Sequence, residues 1–256
     1  MNNDIMEGLK KSSFNTVATT VPKIGNTDNI VHVFVDNRAA TRQAIILSLR
    51  EKGVTFKTRS DWNAKPPVKS DGPDWDYHGI ALHHAGNSYS CSADGADLIR
   101  KAEKNDIKLF AHISYHYAIS CDGTIYEALD IREKGAHIDN GNTGVIGIVL
   151  LEDLTERGES YSEEYSDKSI WARIRKVGDW GPDALFYEHD TPPAIQVEAL
   201  KSLVQSLIDF FPIKLIGGHR EYQKISTGSG RACPGKYGME LVLMLRDTFK
   251  MRGPSK

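Results

Sequence analysis

His219 and Cys233 bracket the stretch of this sequence best suited to chemistry. In GGHREYQKISTGSGRACPG, at 217–235, a Gly/Ser/Thr-rich loop separates an imidazole from a thiol. Neutral imidazole and thiolate are good zinc ligands, and a loop lets two distant positions converge on one ion. Two ligands do not complete a site. A catalytic zinc typically has three protein ligands and keeps its fourth position open for water or substrate. The third is expected elsewhere, and GIALHHAG at 79–86 offers His83 and His84. There an apolar strand runs into paired histidines and then Gly86, which reads as a strand end opening onto a cleft. Successive strand residues face opposite sides, so the pair should divide between two faces, and the residues alone leave both as candidates. A lone strand-end histidine is more often a hydrogen-bonded polar residue than a ligand.

The elements that must position these residues follow in order. Residues 1–28 are polar, rich in Asn, Thr and Ser, and read as a loosely attached arm. NIVHVFVD at 29–36 has the β-branched content of a strand, and 38–52 reads as a helix ended by Gly53. Together 1–55 form an extension too small to stand alone, which either packs on the main domain or serves for delivery or docking. The main domain is expected over 56–256. It opens with the turn-rich RSDWNAKPP, then a strand from Ile80 to His84. A helix follows from Ser92 to Ile107, with Ser92 as cap and Leu98, Ile99 and Ala102 on one face.

Residues 114–129 read as a β-hairpin turning at Asp122-Gly123. VIGIVLL at 145–151 is a continuous apolar run, as in a strand buried on both faces. The polar, acidic stretch 152–190, with Trp171 and Trp180, is an insertion, either functional or a surface excursion with its own apolar patch. Thr191 to Phe211 is the best helix, with Thr191 as cap and Ile195, Leu200, Leu203, Val204, Leu207, Ile208 and Phe211 as core. A short strand at 213–218 ends at His219, and Met239 to Phe249 forms a last helix. Strands with interspersed helices imply an α/β fold, a mixed sheet covered by helices.

Composition narrows the function classes. The chain has 256 residues and a net charge of -2, without the basic surplus of a nucleic-acid binder. No apolar run approaches the ~20 residues of a membrane span. The first twenty residues lack the apolar core of a secretory signal, so synthesis in the cytoplasm is expected. Three cysteines, an odd and low count, argue against a disulfide framework. Cys91 and Cys121 read as packed free thiols, a bridge between them being the alternative.

An apolar strand ending in HH, SYH before a DG hairpin, GAH, an apolar GIVL strand and GHRE…ACPG occur here in one order. This order resembles the zinc-dependent N-acetylmuramoyl-L-alanine amidases, the superfamily of phage lysozyme-type amidases and peptidoglycan recognition proteins. The resemblance covers about 56–250 and extends to RSDWNAKPP, which looks like a segment of the recognition proteins. It implies a mixed, mainly parallel β-sheet flanked by helices, with a groove for glycan and stem peptide across a zinc ion. By resemblance the zinc ligands are His83, His219 and Cys233, the catalytic residues Tyr115 and Arg231, and the substrate-binding residues His84, His137 and Asn142. His137 is alternatively a plain polar wall residue, and His116 is expected to pack or hydrogen-bond structurally.

Two departures matter. Arg231 stands where the lysozyme-type amidases carry a lysine; it keeps the charge but does not give up a proton. Val149 stands where some amidases of the superfamily carry a catalytic glutamate. The reaction implied is hydrolysis of the amide between N-acetylmuramic acid and L-alanine. The action is expected in the periplasm or at the cell wall, as a phage endolysin or an exported antibacterial effector. Peptidoglycan is then the partner, with an immunity protein or secretion machinery as further candidates. A cytosolic enzyme recycling wall fragments is another setting. The alternative function is a peptidoglycan-binding module without catalysis.

Overall fold

A computed structural model describes residues 37–86, 88–156, 159 and 191–255. The expected arm, the strand at 29–36 and most of the 152–190 insertion, with Trp171 and Trp180, lie outside the described residues. The strands are β1 (Phe56–Lys57), β2 (Gly79–His84), β3 (Tyr117–Ile119), β4 (Ile125–Glu127), β5 (Val145–Leu150) and β6 (Leu215–Gly218). The helices are α1 (Asn37–Glu51), α2 (Gly95–Phe110), α3 (Ala194–Phe210), α4 (His219–Ser226) and α5 (Gly235–Phe249). No helix among the described residues is long and apolar enough to cross a membrane.

The six strands form one sheet in the order β1-β4-β3-β5-β2-β6. Only the β3–β4 hairpin is antiparallel. A parallel sheet needs cover on both faces, so its central strands read as unbroken apolar runs. All six residues of β5 are buried accordingly. Ile146, Ile148 and Leu150 point to one face, against Ile45 and Leu49 of α1, Leu200, Leu203 and Leu207 of α3 and Leu245 of α5. Val149 points to the other, with Leu98 and Ile99 of α2, Trp62 and Ala118. Helix α1 thus supplies the main core, with Ile45 and Leu49 wholly buried.

Several expectations need correction. The cap of α2 is Asp94 rather than Ser92, accepting from the N–H groups of Ala96 and Asp97. Helix α3 begins only at Ala194, because Pro193 is extended at its N-cap, so Thr191 does not cap it. Ile195 is exposed, not core. Leu200, Leu203, Val204 and Leu207 are core as expected, joined by Gln196 and Ala199, and the Gln196 amide donates to the Ile119 carbonyl at 3.1 Å. The stretch after His219, expected as loop, winds first into α4. Cys91 and Cys121 form a disulfide, with Cα atoms 5.4 Å apart. The bridge ties the loop after β2 to the β3–β4 turn, two segments that parallel strands bring to the same end of the sheet.

Candidate metal centre and groove

Strand parity separates the two histidines. In β2, Leu82 faces the α1–α3 core, so His83 turns to the opposite face and lies wholly buried. His84 turns away. Its Nδ1 accepts from the Leu154 N–H at 3.2 Å and lies 3.3 Å from Asp153 Oδ1. The structure does not bring His84 to the groove.

His219 reaches His83 because β6 pairs with β2 and ends beside Leu82 at Gly218. The next residue is the first of α4. Gly218 is required there, since a Cβ would stand 2.4 Å from Met239 Sδ and 2.7 Å from Pro234 Cδ. Cys233 returns through the turn after α4, where its carbonyl accepts the Arg220 N–H at 2.9 Å. The turn is pressed on the 154–155 backbone: Gly235 has φ +80° and a Cβ on it would lie 2.2 Å from the Leu154 carbonyl oxygen. Ligand atoms of His83, His219 and Cys233 thereby fall within 4.8 Å of one another. Cys233 Sγ is 3.7 Å from His83 Nδ1.

Hydrogen bonds fix which imidazole nitrogens are free. His137 Nε2 lies 3.2 Å from the Val145 carbonyl, which can only accept, so Nε2 carries the proton. His137 Nδ1 then accepts from His83 Nε2 at 3.1 Å. That leaves the lone pair of His83 on Nδ1, the nitrogen nearest Cys233. The second histidine follows the same logic. Gln223 Oε1 accepts from the Asp139 N–H, so it can also accept from His219 Nε2 at 3.2 Å. His219 Nδ1 is left with the lone pair. Burial, then the neighbouring imidazoles, hold His83 well below the ordinary histidine range, and burial holds His219 at about 4. Both rings are neutral at neutral pH, as ligation requires. The donor set therefore suits zinc, and no further His, Cys, Asp or Glu among the described residues joins the cluster to close a fourth position.

The other expected residues surround this point. The Tyr115 ring centroid is 4.9 Å from that of His83 and stacks 6.2 Å from His137. Burial, then Cys233 and Asp106, keep its phenol protonated well above the ordinary range. A groove of about 940 Å³ is lined by His219, exposed Arg231, His137, Asn140, Lys134 and Phe110, among others. Asn142 also lines it, while its Oδ1 accepts the N–H groups of His137 and Ile138 at 2.8 and 2.7 Å. His137 is both a wall residue and the hydrogen-bond partner of His83. His116 is structural: its Nδ1 accepts from Gly147 N–H at 3.0 Å and its Nε2 donates to the Glu133 carbonyl at 3.0 Å. Val149 is core.

Two residues escaped sequence reading. Gln223 orients His219 from one turn along α4, a spacing visible once that helix is recognised. Gly147 leaves room for His137, whose Cδ2 would lie 2.6 Å from an added Cβ.

Comparison with known proteins places these residues in context. The family model described as N-acetylmuramoyl-L-alanine amidase matches residues 73–236. Peptidoglycan-recognition protein SD of Drosophila melanogaster is 28% identical over 112 residues, covering 41% of this chain and 58% of that protein. The chain thus spans a little over half the length of that relative. Among solved structures, peptidoglycan recognition protein-LE in complex with tracheal cytotoxin, a monomeric diaminopimelic acid-type peptidoglycan, superposes with TM-score 0.53 at 17% identity. It covers 75% of this chain and 93% of that one. The endolysin N-acetylmuramoyl-L-alanine amidase LysCS from Clostridium intestinale URNW superposes with TM-score 0.51 at 15% identity, covering 77% and 97%. At such identities the superpositions show a shared fold.

Proposed function

The chain belongs to the N-acetylmuramoyl-L-alanine amidase family, and from that premise we propose that it is a zinc-dependent peptidoglycan hydrolase. The bond cut is the amide between the lactyl group of N-acetylmuramic acid and L-alanine of the stem peptide. One observation carries this reading: two neutral imidazoles and a thiol converge beside a protonated phenol, and one of the imidazoles, His219, lines a groove.

His83 Nδ1, His219 Nδ1 and the Cys233 thiolate would hold the ion, with His137 and Gln223 fixing the two rings from behind. Zinc in that place supplies Lewis acidity that polarises the scissile carbonyl and lowers the pKa of a water toward ~7. Tyr115 keeps its proton at neutral pH and can donate a hydrogen bond to the oxyanion as the carbonyl becomes tetrahedral. Arg231, at the groove edge, offers fixed positive charge to that oxyanion or to a peptide carboxylate. As a guanidinium it cannot protonate the leaving amine. The groove walls near His137, Asn142 and Lys134 would take the glycan and stem peptide. The site of action would be the periplasm or cell wall, where the polymer lies.

The test is incubation of the purified protein with intact sacculi, with and without chelator, followed by mass spectrometry. Free stem peptides from unbroken glycan, abolished by chelator, are expected. Sacculi that bind the protein yet release nothing would overturn hydrolysis in favour of recognition alone.

A further inference from the structure

A second group of side chains of metal-ligating types lies where the loops after β2, β3 and β5 meet. Cys91 and Cys121 are bridged there, and Glu152, wholly buried, lies against the bridge. Its Oε2 is 3.3 Å from Cys91 Sγ and 3.6 Å from Cys121 Sγ. A disulfide sulfur has no proton to give this carboxylate, whereas each thiol has one. The two sulfurs and a carboxylate oxygen all fall within 4.8 Å of one another.

We propose that Cys91, Cys121 and Glu152 form a redox-gated second metal site. It takes a thiophilic divalent cation such as zinc when the disulfide is reduced, and is closed to it when the bridge is formed.

The donor chemistry is that of zinc: thiolate sulfur at ~2.3 Å and carboxylate oxygen at ~2.0–2.2 Å. Tetrahedral angles with those bonds put two sulfurs about 3.8 Å apart. Rotation about the cysteine Cα–Cβ bonds can reach that separation while the Cα atoms stay 5.4 Å apart. Both cysteines are half-buried, so solvent can reach the cation and occupy its fourth position. A dication also offsets the charge of two thiolates and a carboxylate, which a dry setting would otherwise oppose. The site is tied to the chain around the first cluster. The Glu152 carbonyl accepts the N–H groups of Ala85 and Gly86 at 3.1 and 3.3 Å, directly after His83 and His84.

Reduction by a phosphine is balanced. The sulfur–sulfur bond breaks, phosphorus gives up two electrons, and water supplies two protons and an oxygen. Two thiols and the phosphine oxide remain. Cation binding then releases the two thiol protons to solvent.

The test uses the full chain in two preparations. One is oxidised, with a single titratable thiol in denaturant. The other is kept reduced by phosphine from synthesis onward, with all three thiols of the sequence. Each is dialysed against zinc and analysed for metal per chain. The reduced chain is expected to hold one equivalent more than the oxidised chain. That extra equivalent should vanish in the Cys91→Ser/Cys121→Ser variant, weaken in Glu152→Gln and survive in Cys233→Ala. Its survival there separates this site from the groove cluster and from the hydrolase reading. Equal zinc in both redox forms would overturn the proposal. So would an extra equivalent that persists without the two cysteines, or a reduced chain that has lost its cooperative melt and takes up none.

Discussion

At His83 the side chain behind the candidate ligand atom bears on how tightly a metal would be held. The Nε2–H of His83 is held by His137, which is itself held by the Val145 carbonyl. Losing such a partner typically costs 10–100-fold in metal affinity. His137→Ala is therefore expected to weaken zinc binding by about that factor in a chelator competition. Unchanged zinc affinity with only a raised KM would make His137 a wall residue alone. Tyr115→Phe is a different experiment, because it removes only the oxygen beside the cluster. Loss of one oxyanion donor costs about 10²–10³ in kcat. Such a drop in steady-state kinetics, with zinc content unchanged, is expected; a kcat within twofold of the parent would remove Tyr115 from the chemistry. Sequence spacing showed that His83 and His84 face opposite ways, but not which way. The side depends on which face α1 and α3 cover, and that is a property of distant residues. Cys233 was legible from its residue type and its loop to His219, and Arg231 was pointed to only by resemblance, whereas Gly147 gave no signal, since its role is only to leave space.

At the element scale, two short pieces do the positioning. Helix α4 has eight residues and a mostly polar sequence, HREYQKIS, whose two large apolar residues, Tyr222 and Ile225, share one face but are too few to mark a helix by themselves. Its signal was the cap: Glu221 accepts the Gly218 N–H at 2.9 Å, three residues before it. The second piece is the approach to β3, where His116 stitches the 131–133 loop to β5. Burial holds His116 at about 4, against an ordinary value of 6.5. Between those values the unfolded chain binds a proton that the folded chain refuses. Stability must therefore be full above about pH 6.5 and fall as pH drops toward 4. The loss from this residue is on the order of 3 kcal/mol. His219 adds to it with the same sign in the metal-free chain. Urea midpoints of the metal-free chain should fall steeply across that window. A midpoint that stays constant there would mean that these rings are not held neutral by the fold.

On the scale of the whole molecule, the family match at 73–236 holds the three candidate ligands and Tyr115, yet leaves out α1 and β1. The sequence alone left open whether residues up to 55 pack on the domain or hang from it. The packing of 37–51 decides that for α1. Ile45 and Leu49 are fully buried, and Arg42 pairs with Glu127, whose side chain is only 2% exposed. Ser48 and Lys52 add hydrogen bonds to Ser206 of α3. Each buried Ile or Leu is worth about 1.5–3 kcal/mol, and the about 3–5 kcal/mol for breaking a buried ion pair is a ceiling here, because the Arg42 side chain is 25% exposed. The Arg59 N–H remains to Glu127, which lessens the second cost. Even so, these losses are comparable with the entire stability of a domain, about 5–15 kcal/mol. A chain beginning at Phe56 is expected to lose its cooperative thermal transition and its zinc binding, although every ligand and the groove sequence remain. Calorimetry and metal analysis of that truncated chain decide the matter. An unchanged melting temperature with stem peptides still released would make α1 a detachable extension. Loss of both would mean that residues 1–55, which lie outside the family match and include α1, hold the sheet on which the site is built.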